Sequence, residues 1–366
     1  MKIGMLGDIA LIGNYDMSKH SDVKEKLKFL KAELDKCDYR IANLEAPFTT
    51  KKNTMICKSM HLKSAKENVE VLKYLGIDAV CLANNHIYDY GRKGLEETIV
   101  LLEENGIRYF GVDGKDLLVN RNGEKITLSG FCCYSTNGAC YKEKRKERGV
   151  NLLTFDNINK QIKHDKEWGA FSIINLHYGL EHIYYPATEH IKLIDWMMEQ
   201  NHMIVQGHHS HIVQGIKKTD NAVAFYSLGN AIFDNCTSIN GKFEVKLNEQ
   251  NKQSIFACVE VIDGNIKTYD VIGYYNNPSR GISPFDMKKI IEHISNVTNS
   301  IENYEQYEKK RKSLYQEATQ NKFGKKDLHW LLSRMNYYAI GAKIKTKIYH
   351  KRYIKEVLKI DTESMR

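Results

Sequence analysis

The stretch GHHSHIVQG, residues 207–215, sets three histidines in four positions directly after the apolar run Met203-Ile204-Val205. A short apolar run closing on polar residues reads as a buried strand that carries side chains to the end of a sheet. Neutral imidazole is the commonest protein donor to borderline divalent metals, so this density of histidine points to metal ligation by His208, His209 and His211. One loop rarely completes a coordination sphere. Carboxylates, amides and further histidines are therefore required at the ends of other strands.

The chain supplies them in order. Residues 2–6 read as a strand ending at Gly7-Asp8, residues 38–42 as a second ending in Asn43-Leu44-Glu45, and residues 77–82 as a third ending in Asn84-Asn85-His86. Helices are expected between them. One covers 22–34, where Val23, Leu27, Leu30 and Leu34 recur at helical spacing behind Ser21 as N-cap. A second covers 66–75, closed by Gly76, and a third covers 94–104. A fourth strand begins at 108–112, a hairpin turns at Arg121-Asn122-Gly123, and the charged run 142–148 reads as a solvated loop. Alternation resumes with a helix over 155–167, a strand over 171–176 ending in His177, a helix over 188–199, and the strand that delivers the histidines. Residues 222–228 end at Gly229-Asn230, and residues 243–247, 255–262 and 266–272 alternate like an antiparallel meander. Beyond Pro284 the periodicity is helical, which places a boundary near 276–284, between a domain over 1–275 and a helical extension over 276–366.

Alternating strands and helices predict an α/β fold with a mostly parallel sheet covered on both faces, and ligands in such sheets bind beyond the carboxyl ends of the strands. Two metals a few ångströms apart need a bridging carboxylate, and Asp8 or Glu45 is there to serve. Asn85 offers an amide oxygen, and three histidines from two strands, drawn from His177 and the later His208, His209 and His211, can finish the set. His86, beside Asn85, suits a general acid acting on a leaving oxygen. Asn43 and Asn84 fall at the same strand ends.

The 366 residues are 42% hydrophobic and 27% charged, the balance of a soluble globular protein. No apolar run approaches the ~18 residues that span a bilayer, and no signal-peptide pattern opens the chain, so a cytoplasmic location is expected. Eight cysteines without a C-x-x-C pair read as reduced, mostly buried thiols. The net charge of +9 sits at one end: residues 321–366 hold twelve basic against four acidic side chains, leaving 42 against 41 in the rest. No nucleic-acid-binding motif accompanies this charge. Leu328, Leu331, Leu332, Met335, Tyr338, Ala339 and Ala342 share a helical face, with Lys343, Lys345, Lys347, Lys351 and Arg352 close behind. The expectation is a helix docked on the core with a basic end, able to touch the inner membrane face or an acidic polymer peripherally.

Six stretches, GDIAL (7–11), NLEAPFT (43–49), LANNHIYDYG (82–91), HYGLEH (177–182), GHHSHIVQG (207–215) and YSLGNAIFD (226–234), resemble the successive signatures of the capsule-synthesis CapA family. These are also called poly-γ-glutamate synthesis proteins and are related to calcineurin-like metallophosphoesterases. The resemblance covers about residues 1–275. It implies a four-layer α/β/β/α sandwich of two mixed sheets, the second built from the hairpin and the meander.

The resemblance also implies roles. Asp8 would bind a first metal, Glu45 would bridge, and Asn85, His177 and one of His208 or His209 would bind a second metal. His211 would return to the first, and His86 would be the acid. Asp89, Glu181 and Asn230 would orient ligands or touch substrate. Ala10 stands where metallophosphoesterases carry a histidine, the bridging aspartate is replaced by Glu45, and GHHSH has one residue more than their GHxH. One or two divalent ions (Mn, Zn or Fe) are therefore implied. The activity implied is hydrolysis of a phosphoester or amide in surface-polymer biosynthesis, or else non-catalytic polymer binding or assembly. The partners implied are the polymer or its precursor and other capsule-synthesis proteins.

Overall fold

The structure, a computed structural model, describes residues 1–133, 149–239, 241, 244–323, 335, 337–344 and 347–348. The charged run 142–148 and Leu328, Leu331 and Leu332 lie outside the described residues. The strands are β1 (Lys2–Ile9), β2 (Tyr39–Leu44), β3 (Ala79–Cys81), β4 (Arg108–Phe110), β5 (Leu117–Arg121), β6 (Glu124–Cys132), β7 (Phe171–His177) and β8 (Met203–His208). They continue as β9 (Ile216–Lys218), β10 (Ala222–Phe225), β11 (Asn230–Ile232), β12 (Cys236–Thr237), β13 (Glu244–Val245), β14 (Gln253–Ile262), β15 (Asn265–Asn277) and β16 (Gly281–Pro284). The helices are α1 (Val23–Lys26), α2 (Lys28–Leu34), α3 (Val69–Leu75), α4 (Gly91–Glu104), α5 (Phe155–Glu167), α6 (Thr188–Gln200), α7 (Lys288–Asn299) and α8 (Tyr304–Phe323).

Two mixed sheets result. The first runs β16-β15-β14-β1-β2-β3-β4, with β11 also paired to β1; the second runs β5-β6-β7-β8-β10-β9. One continuous core of buried apolar side chains joins them, from Ile3, Met5 and Ile41 in the first to Ile173, Ile204 and Val223 in the second. Each such side chain taken fully from water contributes about 1.5–3 kcal/mol. Helices α1 to α4 pack on the first sheet and its connections, and α5 and α6 on the second, which completes the four layers.

Two glycines let the sheets close at the histidine end. A Cβ on Gly7 would stand 2.0 Å from the Gly229 carbonyl oxygen, and one on Gly207 would stand 1.9 Å from that of Tyr226. Any side chain there would push the strand ends apart.

The helix expected over 22–34 is broken at Leu27, whose backbone leaves the helical region while its side chain stays fully buried. The meander also differs. Strand β14 pairs antiparallel with β1, so β14, β15 and β16 extend the first sheet rather than building the second. Strand β13 belongs instead to a separate ribbon with β12. Period-two alternation identifies a strand but not its partner, because any neighbour with a free edge satisfies the same pattern.

Strand β15 crosses position 275 and pairs with β16, so the first sheet ends at Pro284. The extension then docks on the second sheet. The Ser295 hydroxyl accepts from the Ile216 backbone N–H at 2.9 Å, and Asn299 donates to the Ile216 carbonyl at 2.9 Å. From α8, Tyr307 donates to the Pro186 carbonyl at 2.9 Å, and Glu308 accepts from the Thr188 N–H at 3.0 Å, capping α6 from outside. Among the described residues no helix is long and apolar enough to cross a membrane.

Candidate metal centre

Register brings the polar strand ends together. Asp8 in β1 lies opposite Asn43 in β2 on one side and Asn230 in β11 on the other, and His177 in β7 lies opposite His208 in β8. The two sheet ends then meet around one cleft of about 150 Å³, lined by His86, Glu181, His182, His211, Asn230 and Asn251, with Met60 and Phe233 as apolar walls.

A chain of amide bonds fixes Asp8. Asn84 donates to the Asn43 side-chain oxygen at 3.1 Å and to the Leu44 carbonyl at 2.8 Å, and Asn43 donates to Asp8 Oδ1 at 2.8 Å. His208 Nδ1 lies 3.0 Å from the same oxygen, and the His209 backbone N–H donates to Oδ2 at 3.2 Å. Burial pushes the Asp8 carboxyl up, but the His208 hydrogen bond and the charges of His208, His177 and His211 outweigh it and hold the group below the usual range.

Glu45 is the opposite case. It is fully buried, and neither carboxylate oxygen has a hydrogen-bond partner. Burial first, then the nearby Asp8 and Glu181 charges, raise its carboxyl well above the ordinary value. A buried carboxylate without a partner is costly, and a cation is what would relieve it. His211 Nε2 is 3.8 Å from Glu45 Oε1, while its Nδ1 lies 2.9 Å from the Asn230 side-chain oxygen and 3.6 Å from Asp8 Oδ2. Two triads arise, Asp8–Glu45–His211 and Glu181–His209–His211, each with donor atoms within 4.8 Å of one another. Both use His211.

The adjacent histidines His208 and His209 differ sharply. His208 is held at both nitrogens, by Asp8 and by the Asn175 side-chain oxygen at 3.1 Å. His209 Nδ1 is buried without a partner, and burial followed by the His211 charge lowers the imidazole to about 3. Its backbone has φ 85°, and that of His211 has φ 57°, a left-handed conformation that costs a non-glycine residue of order 1 kcal/mol; of the two, His211 lines the cleft. His177 Nε2 meets the Asn85 side-chain oxygen at 2.8 Å, its Nδ1 is buried without a partner, and its ring lies 4.8 Å from that of His209.

His86 sits beside these groups. Its Nδ1 is 2.7 Å from Asp89 Oδ2 and 3.0 Å from the Lys58 ammonium. Lys58 is itself buried, pairs with Asp89 Oδ1 and donates to the Asn85 carbonyl at 2.6 Å. Asp89 also accepts from the Leu62 N–H at 2.6 Å. Burial and then Lys58 lower the His86 imidazole against the pull of Asp89. With Nδ1 engaged, Nε2 is left for the cleft that the ring lines.

Three residues that hold the site were not singled out by the sequence. Lys58 comes from a segment without regular structure, where a lysine reads as solvated, and it gave no signal. Asn175 did give one, since a polar residue inside the apolar run of β7 needs a buried partner. Asn251, which donates to the His211 carbonyl at 3.0 Å, lies in a turn where asparagine is commonplace.

Residues 2–235 match the family model described as bacterial capsule synthesis protein PGA_cap. The chain belongs to this family. It is similar to the capsule biosynthesis protein CapA of Bacillus anthracis, at 30% identity over 62% of this chain and 59% of that one. It is also similar to the PGA biosynthesis protein CapA of Bacillus subtilis (strain 168), at 26% identity over 64% and 63% respectively. The chain thus spans about three fifths of the length of the curated relatives it matches. Among solved structures it overlays on the 5'-nucleotidase from Candida albicans SC5314 at 9% identity, with a TM-score of 0.42, over 97% of this chain and 58% of that one. So loose an overlay carries nothing about chemistry. In this capsule-synthesis family member Ala10 is fully buried against Ala46, Leu62, Phe233 and Cys236, so the position packs the wall of the cleft and offers no ligand.

Proposed function

We propose that this chain acts as a divalent-metal-dependent hydrolase on a phosphoester or amide during biosynthesis of a capsule or poly-γ-glutamate type of surface polymer, with the polymer or its precursor as substrate. The observation that carries the reading is Glu45, a buried carboxylate with two unpartnered oxygens facing His211 beside Asp8. Asp8, Glu45 and His211 would hold one ion, and His209 and Glu181, with His211, a second site toward His177 and Asn85. A Mn, Zn or Fe ion bound there supplies Lewis acidity toward the scissile group and lowers the pKa of the attacking water. His208, Asn43 and Asn84 position Asp8; Asn230 positions His211. His86, oriented by Asp89, donates a proton to the leaving oxygen from its cleft-facing nitrogen. Other capsule-synthesis proteins are the natural partners on this reading.

The wall position of Ala10 favours a second reading, a non-catalytic assembly or polymer-binding factor that keeps the fold. Metal analysis of protein purified without chelator, followed by turnover of a generic phosphodiester with added manganese, separates the two. The hydrolase reading expects bound metal, turnover, and a His86→Ala variant that keeps the metal and loses turnover by about 10²–10⁴-fold. Absence of metal and of turnover, unchanged by His211→Ala, leaves only the assembly reading.

A further inference from the structure

Residues 337–344 and 347–348 are helical and present two different faces. The inner face is seated on residues 54–61. Tyr338 donates to the Thr54 carbonyl at 2.7 Å and sets its ring edge-on to His61 at 5.3 Å, and a Cβ on Gly341 would come within 2.6 Å of the Cys57 sulfur. Among the described residues the outer face has no such cover. Ile340 is 51% exposed, Ile344 57% and Ile348 57%. They follow at i, i+4 and i+8, along one side of a helix. Met335, expected on the docked face, is exposed as well. Lys343 and Lys347, both exposed, flank these isoleucines.

We infer that this outer face binds an anionic lipid bilayer surface. A row of large apolar side chains left in water is costly unless something covers it. The flanking lysines choose what does: an interfacial helix buries its apolar side to the depth of the acyl boundary while its lysines meet anionic headgroups. A soluble polyanion would be matched by the lysines alone and would leave the isoleucines in water. The charge of the sequence is concentrated in the same place, with a net +8 over residues 321–366. The seat matters too. Residues 54–61 carry Lys58, which bonds Asp89 and the Asn85 carbonyl, and Ser59 and Met60 line the cleft. The helix is thus seated on the segment that walls the cleft.

The test is co-sedimentation of the full chain with phosphatidylcholine vesicles, with and without phosphatidylglycerol, at low and high salt. The expected result is binding to the anionic vesicles that weakens with salt. An I340E/I344E variant and a K343E/K347E variant, each folded by circular dichroism, should each lower partitioning by at least about tenfold. Equal partitioning of the wild type and both variants overturns the inference. So does capture of soluble poly-γ-glutamate that is lost in the lysine variant but kept in the isoleucine variant, which would make the face a polymer site. A dimer in sedimentation velocity that the isoleucine variant dissociates, without vesicle binding by the wild type, would make it a contact between copies.

Discussion

At the strand ends of the first sheet Asn84 bonds Asn43 and Asn43 bonds Asp8, whereas at the ends of the second sheet His177 and His209 each keep a buried ring nitrogen without a partner. The first half is a closed hydrogen-bond framework that Lys58 extends through Asp89 to His86. In the second half these ring nitrogens, like the carboxylate oxygens of Glu45, have no hydrogen-bond partner among the described residues. Buried polar groups ordinarily find partners, so the difference separates residues that hold shape from residues whose polar atoms stay unpaired. Neighbours in sequence fall on opposite sides of this line: His208 belongs to the framework and His209 to the unpaired residues.

The largest effect expected on the framework side is from Lys58→Ala. Removing one member of a buried ion pair strands Asp89, and a loss of about 3–5 kcal/mol in urea-melt stability is expected, with metal affinity per folded molecule little changed. A loss under about 1 kcal/mol would show that Lys58 is not part of the framework. The next is a titration outside both halves. Burial holds the His190 imidazole down to about 4, against an ordinary value near 6.5, so the unfolded chain takes up a proton that the folded one refuses. The stability this gives is complete above pH 6.5 and is lost as pH falls toward 4, by about 3 kcal/mol. A His190→Leu variant should flatten that part of the stability-versus-pH curve; an unchanged slope would refute the assignment.

The two adjacent histidines sharpen the comparison most directly. His209→Ala should weaken manganese or zinc binding by roughly 10²-fold or more as a lost ligand, and His208→Ala by roughly tenfold, through the loosened Asp8, in competition titration against a chelating dye. The reverse order would exchange their roles. The smallest effect is expected from Glu45→Gln. In chelator-treated protein a neutral amide is no worse buried than the carboxylate, so stability should change by less than about 1 kcal/mol. The thermal stabilisation given to the wild type by added metal should disappear. A metal-free chain strongly destabilised by this change would place Glu45 in the framework.

Much of the centre could be read in advance because it lies at strand ends, where a short apolar run breaks into GD, NLE, NNH or GHHSH. Chain order and polarity suffice to locate such ends, since a buried strand must surface somewhere and its polar residues collect there. Helix α5 was legible to the residue for a similar local reason: Thr154 accepts from the Asn157 N–H and starts it.

What the sequence determined by itself was therefore the set of strand ends, the residue types gathered there, the α/β class and the family. Tertiary structure alone decided that the meander joins the first sheet, that His208 props Asp8 while His209 lies beside His177 with an unpartnered ring nitrogen, that Lys58 is buried against Asp89, and that the C-terminal isoleucines are exposed. The reason is the range of the interactions. Strand polarity and helix caps are written within a few residues, whereas sheet partners, the burial of a charge and the free side of a helix depend on groups brought together across the chain, such as Asp8 with His208, 200 positions apart.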